Sequence, residues 1–234
     1  MLIIGGNAYG FSAPGEAYAE ASKAGVGVAQ VLLPDATKRL VGRVFEAGSF
    51  APSTPSGSFG QKALNDFLSH SVWADGVLVA GDIGRNSETA ILLEKFIEKY
   101  SGQLTIAKDA VDYVTAAPQN VLKRPNTALV LSFAQLQKLA SHAGFTKAFT
   151  FDVGIIRLVE LLHEFTTQFS VNIVVKHLEN IFVASGGQVS STRLDTDIDI
   201  WRVKTAAHTA VWWLQNPSKP FEALTTAIHE TTAP

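Results

Sequence analysis

Apolar and polar positions fall into short blocks along this chain. Residues 2–4 form an apolar run of strand length, too brief for a helix. Gly5, Gly6 and Gly10 follow, then small residues at helical spacing over 13–24, with Gly25 as a stop. A second strand is predicted over 26–33 and a helix near 35–44. Residues 46–60 read as a loop, rich in Gly, Ser and Pro, and a short helix follows over 61–68. The apolar run 76–80 predicts a strand, and Ser87 caps a helix running to about Tyr100.

The alternation then repeats. Strands are predicted over 104–107 and 127–131, with a short helix over 109–115 between them. Ser132 and Gln135 have the spacing of a capping box for a helix to Ala140. Residues 154–168 carry the clearest helical stripe, with Ile155, Leu158, Val159, Leu162 and Phe165 on one face. Strands are predicted over 171–176 and 180–184. Gly186-Gly187 then signals a hairpin into 188–194. Helices over about 204–215 and 221–230 finish the chain, Pro220 opening the second. Strands alternating with helices predict an α/β fold: a three-layer α/β/α sandwich with a mainly parallel sheet and a late antiparallel hairpin. No repeat or low-complexity linker divides it, so a single domain over 1–234 is expected. Its ligands would sit at the carboxyl ends of the strands.

Composition narrows the chemistry. Of 234 residues, 47% are hydrophobic and 17% charged, a globular balance that argues against disorder. A formal net charge of -2 provides no basic field for nucleic acid or an anionic membrane. The chain has no cysteine, which excludes disulfides, thiolate nucleophiles and Cys-type zinc sites. The first apolar run is too short, and lacks the basic flank, for a signal peptide. No stretch approaches the roughly 20 apolar residues of a membrane span. A cytoplasmic protein without nucleic-acid or membrane partners is expected.

Several residues are candidates for chemistry. The turn at 5–10 fits two readings equally: backbone N–H groups facing a ligand at a helix start, or a tight strand-to-helix bend. It matches neither G-x-G-x-x-G nor a P-loop, which needs a lysine. The turn Gly81-Asp82-Ile83-Gly84 poses the same choice, with Asp82 as an acid, a metal ligand or a loop-ordering residue. Asp195, Asp197 and Asp199 alternate. On a strand they would share a face about 6.6 Å apart, either holding a divalent cation or solvating an edge. The six histidines form no H-x-x-x-H pair, and no G-x-S-x-G element is present. His208 lies one turn before Trp212 and reads as packed. Trp212 and Trp213 read as core or subunit interface, the latter favouring a homo-oligomer.

The order of these blocks resembles the ADP/ATP-dependent NAD(P)H-hydrate dehydratases, of the ribokinase-like fold group. The resemblance covers most of the chain. Gly5-Gly6, Tyr9, Ser12-Ala13 and the run Ala21-Ser22-Lys23-Ala24-Gly25-Val26-Gly27 are similar to the family's opening strand, helix start and A-x-x-A-G-A-G segment. Residues 31–34 resemble its second strand. Residues 74–85 resemble its A-D-x-x-x-x-G-P-G-L-G-R, and 104–112 stand where it has V-L-D-A-D-A-L. Residues 172–176 match its strand ending in K-G. Leu214-Gln215 and Pro220-Phe221-Glu222-Ala223 resemble its closing helices. Such enzymes repair hydrated NADH and NADPH by phosphorylating the hydrate's hydroxyl and eliminating phosphate. The resemblance implies an NAD(P)H-like ligand and ADP or ATP with Mg. It places Ala13, Gly84 and Ser132 at the substrate and Lys176 and His177 at the nucleotide.

The departures concentrate at the chemical positions. The family's G-T-G-D turn, which supplies base and anion hole, falls on Ile200-Trp201-Arg202-Val203, and no glycine follows Gly187. The substrate-contacting His of T-P-H-x-G-E falls on Ser132, the glycine after Lys176 on His177, and the middle of G-P-G-L-G on Asp82. The pattern implies a diverged, catalytically impaired member that keeps nucleotide or dinucleotide binding or serves as an assembly subunit. The alternative is an active dehydratase or small-molecule kinase with a relocated base among Asp82, Asp195, Asp197 and Asp199.

Overall fold

The computed structural model describes residues 1–41, 48–194 and 202–232. Its centre is a nine-stranded sheet in the order β3-β2-β1-β4-β5-β6-β7-β8-β9. The strands are β1 (Leu2–Gly5), β2 (Gln30–Pro34), β3 (Gly48–Ala51), β4 (Gly76–Gly81), β5 (Gln103–Ala107), β6 (Thr127–Ser132), β7 (Asn172–His177), β8 (Asn180–Ser185) and β9 (Gln188–Arg193). Pairing is parallel from β3 through β7 and antiparallel for β8 and β9. The central strands are buried from end to end, as expected where helices cover both faces. β9 alternates exposed and half-buried positions as a sheet edge does.

The helices are α1 (Ser12–Lys23), α2 (Lys38–Val41), α3 (Leu64–Ser71), α4 (Ser87–Lys99), α5 (Ala110–Ala116), α6 (Gln119–Leu122), α7 (Phe133–His142), α8 (Ile155–Gln168), α9 (Val203–Gln215) and α10 (Pro220–Thr232). Residues of α1, α9 and α10 share one core with the residues of Ile3, Leu78 and Val130 that face them. Residues of α3 to α8 share the other with Ile4, Val79 and Leu129. Alternate strand residues thus feed opposite layers, the period-two rule at work. α8 buries Leu158, Leu161, Leu162 and Phe165, each worth roughly 1.5–3 kcal/mol. Ile155, expected on that stripe, is 41% exposed, because the helix begins there and overhangs the core.

Several segments differ from the sequence expectation: the strand expected over 26–33 begins only at Gln30, and Gln119–Leu122, for which no element is expected, forms α6. β3 lies inside the span read as loop. Gly48–Ala51 carries no apolar run and is half-buried. Its strand conformation comes from the parallel ladder with β2, a tertiary contact that local composition does not encode. The helix expected near 35–44 is a 3₁₀ turn over Asp35–Thr37 continued by α2, and its last residues lie outside the described ones. No helix among the described residues is long and apolar enough to cross a membrane.

Candidate functional site at the sheet's switch point

The chain leaves β1 towards β2 and β3 and returns to β4 on the other side of β1. α1 follows β1 on one face and α4 follows β4 on the other. The two connections part at the carboxyl ends and open a crevice, the place where such sheets bind ligands. Glycines set its floor. A Cβ on Gly5 would stand 2.6 Å from the carbonyl oxygen of Gly81, so the two strand ends meet backbone to backbone.

The opening turn directs its donors inward. Gly6 N–H donates to Gly81 O (3.0 Å), Asn7 N–H to Gly10 O (2.8 Å), Ala8 N–H to Gly57 O (3.0 Å) and Gly10 N–H to Asn7 O (3.2 Å). Tyr9 N–H donates to Asn7 Oδ1 at 2.7 Å. Five successive amides are satisfied within the chain. The tight-bend reading therefore describes these backbone groups, while Tyr9, 90% exposed, stands out from the tip.

Asp82 occupies the start of α1. It follows Gly81 at φ +57°, a conformation Asp tolerates better than most residues. Its Oδ2 accepts from Ala13 N–H at 2.8 Å and from Ser12 Oγ at 3.2 Å. Its Oδ1 pairs with the Lys108 ammonium. A carboxylate at a helix N-terminus complements the helix dipole, so Asp82 stands where an incoming anion would otherwise sit. Burial opposes its ionisation, but the bonds from Lys108, the Ala13 amide and Ser12 together hold it below the usual carboxylate value. Asp109 lies beneath. Its Oδ1 accepts from Asp82 N–H (2.7 Å) and its Oδ2 from Gly84 N–H (3.2 Å). Burial pushes this second carboxyl up, and the Asp82 charge adds to the rise against those amide bonds.

A depressed folded-state pKa means that Asp82 stabilises the fold above its unfolded value and loses that contribution as pH falls through the folded one. Asp82→Ala should cost about 1–3 kcal/mol at neutral pH, the range of charge-assisted hydrogen bonds. Below about pH 4 the charge-dependent part of the deficit should fade, leaving the pH-independent cost of Ala at φ +57°. Urea unfolding of both proteins across the acid range reads this directly, and a deficit independent of pH would refute the pairing.

The other expected residues distribute as follows. Ala13 is fully buried in the first turn of α1 and meets Asp82 as above. Gly84, at φ +73°, donates to Asp109 and accepts from the Tyr113 hydroxyl at 2.6 Å. Ser132 ends β6 and forms the capping box with Gln135, its N–H donating to Gln135 Oε1 at 3.0 Å and its Oγ accepting from Gln135 N–H at 3.3 Å. Lys176 lies beside Ser132 in the parallel ladder, half-buried, and its side chain makes no hydrogen bond or ion pair with a described residue. The neighbouring His177 is 6% exposed. Its ring stacks on Phe133 at 4.3 Å and its Nε2–H donates to Val153 O at 2.9 Å, so it packs the top of the sheet. Asp195, Asp197 and Asp199 lie outside the described residues. Among the described residues no group of three His, Asp or Glu side chains could hold a metal ion.

Arg202, immediately before α9, has φ +82°. The helix start expected to carry a glycine turn thus uses left-handed backbone with a side chain attached, at a cost of order 1–3 kcal/mol. Further along α9, His208 is largely buried. Trp212 Nε1–H donates to its Nε2 at 3.1 Å, and Glu20 and Glu230 approach the ring at 3.4 Å. Trp213 is a core residue, 2% exposed. Sequence reasoning missed Lys108, Asp109 and Tyr113 as site residues. The available signal was position: Lys108 and Asp109 directly follow an apolar strand, where a parallel sheet presents its functional groups.

No family model and no curated protein matches this chain. Solved structures do. A ribokinase-like superfamily protein from Enterococcus faecalis superposes with a TM-score of 0.69 at 12% identity, over 99% of this chain and 76% of that one. A phosphomethylpyrimidine kinase from Clostridium difficile gives 0.55 at 12% identity, over 99% of each chain. An ADP complex of Bacillus subtilis pyridoxal kinase gives 0.55 at 12% identity, over 97% and 89%. The fold is therefore ribokinase-like, and at such identities these likenesses establish the fold alone.

Proposed function

We propose that this chain is a diverged NAD(P)H-hydrate dehydratase-like protein that binds a nucleotide or dinucleotide at the β1–β4 crevice and is impaired in the family's phosphoryl chemistry. One observation carries this reading: the crevice keeps its glycine-built shape, while its donors are turned inward. Gly5 and Gly81 still bring the strand ends into backbone contact. Yet the amides of residues 6–10 are bound within the chain, and the α1 start holds Asp82. Lys176 remains available to a phosphate at the end of β7. The closing departures support the same reading, since Arg202 stands where a glycine turn would open N–H groups to a phosphoryl oxygen. The assembly role has less support, because Trp213 is used inside the core.

Calorimetric titration with NADH, NADPH, ADP and ATP, with and without Mg, tests the binding. At least one should bind with a micromolar to millimolar Kd, and Lys176→Ala should weaken it about tenfold, or 1.4 kcal/mol. Failure of all four to bind at millimolar concentration would leave only the scaffold and reject the reading.

A second reading is an active small-molecule kinase or dehydratase with a relocated base. It is favoured by the position of Asp82 and Asp109 at the ends of β4 and β5 and by the kinases that share the fold. ADP or ATP with Mg would then be the cosubstrate. Asp82 is a weak base with its pKa held down, and both Asp109 oxygens are engaged, which ranks this reading second.

A further inference from the structure

We propose that a groove along the outer side of α5 is a further ligand site, taking a small aromatic molecule that carries a phosphate or carboxylate. The groove has a volume of about 600 Å³, within the range of small-molecule sites. It is walled by the start of α4, by α5 and by α7. Ala90, Tyr113 and Ala116 supply apolar lining, suited to a flat ring. The Tyr113 ring is fixed in place, because its hydroxyl donates to Gly84 O and accepts from Asn86 N–H at 2.8 Å.

The charges of the groove are unequal in what they have left to offer. Two carboxylates line it, and both already accept hydrogen bonds. Asp109 holds the amides of Asp82 and Gly84, and Asp112 Oδ1 accepts from Gln135 Nε2 at 3.0 Å. The side chains of Arg85 and Lys138, both exposed at the rim, make no hydrogen bond or ion pair with a described residue. Asp112 Oδ2 has no hydrogen bond to a described residue and that carboxylate stays exposed, while the two long cationic side chains at the rim can fold over the apolar lining to meet an anion. Anions on an aromatic body complement both features, and a guanidinium is well suited to phosphate and carboxylate alike. Ala13, Ser132 and Lys176 do not line the groove, whereas Gly84 and Asp109 do, so the groove adjoins the candidate site and shares two residues with it. Its own lining points to its ligand independently of the function proposed for the crevice. Gly84 and Asp109 border the groove and also hold the Asp82 loop. An occupant would therefore touch the loop that closes the α1 start.

The test is calorimetric titration of the full chain with 1-naphthyl phosphate, 1-naphthoate, 1-naphthol and inorganic phosphate. The two naphthyl anions should bind with submillimolar Kd, at least about tenfold more tightly than the neutral naphthol or the bare phosphate. The two anion arms decide which head group the site prefers. Arg85→Ala combined with Lys138→Ala should weaken the naphthyl anions by about tenfold or more. Ala116→Trp, at an exposed position, should abolish their binding by filling the groove, while the midpoint of urea unfolding stays that of the unsubstituted protein. Circular dichroism on each variant verifies folding. The proposal is overturned if the naphthyl anions do not bind at millimolar concentration, or if naphthol binds as well as they do. It is equally overturned if the cation variants bind unchanged, or if Ala116→Trp leaves the anions bound.

Discussion

Gly81→Ala should destabilise the protein by about 3–5 kcal/mol, a large part of the roughly 5–15 kcal/mol that holds a typical domain together. Gly81 has φ +107°, which L residues avoid at a cost of order 1–3 kcal/mol. Space is also lacking. A Cβ there would lie 2.6 Å from Lys108 Cβ and 2.8 Å from Asp109 Oδ1. Neither neighbour can retreat freely. Lys108 is itself at φ +57°, and Asp109 holds the amides of Asp82 and Gly84. Overpacking of this kind adds about 1–3 kcal/mol, and the displaced carboxylate would release buried amides. Gly144→Ala is the matched control: φ is +71° but no atom lies within 4 Å of the added Cβ, so only the backbone cost of roughly 1 kcal/mol applies. Urea unfolding of the two variants separates the effects. Equal losses would show that β4 and β5 do not meet as closely as described.

The same contact explains what was readable beforehand. The parallel sheet was legible because its strands are short apolar runs between helical stripes, and burial on both faces leaves no other use for them. The late hairpin was legible from Gly186-Gly187, both at positive φ. β3 was not, because Gly48–Ala51 owes its conformation to β2 rather than to its own side chains. The site divides in the same way. Gly81, Asp82 and Gly84 could be located as a turn after a strand. That Asp82 would cap α1, 69 residues earlier in the chain, and pair with Lys108, 26 residues later, depends on strand order and on two left-handed residues. Hydrophobic patterning carries no information on either. His177 shows the converse. The resemblance implies a nucleotide contact for it, and its ring is spent on Phe133 and Val153 O. A titratable residue at a strand end becomes a site residue only when its polar atoms are left unpaired.

That criterion sets the expectation for activity. Incubated with hydrated NADH and ADP or ATP with Mg, this protein should restore nicotinamide absorbance at least about 10³-fold more slowly than an enzyme with its base and anion hole in place. Loss of a general base typically costs 10²–10⁴, and loss of an anion-hole donor about 10²–10³. The two do not simply multiply, because groups that act as one unit are strongly non-additive, so the lower bound is the defensible figure. Both groups are missing on the function proposed above. The resemblance places base and hole at the start of α9, where Arg202 and Val203 now stand, and Val203 is buried. At the opposite wall the α1 amide is held by Asp82, whose lowered pKa also makes it a poor substitute base. Recovery at a rate typical of enzymes, about 1–10³ per second, would overturn the reading of impairment. If that turnover then vanished in Asp82→Asn but survived in a matched Asp66→Asn control at a half-exposed position of α3, Asp82 would be the relocated base. Nucleotide binding without turnover is the outcome expected on the proposed function, from the inward-turned donors and a Lys176 side chain with no partner among the described residues.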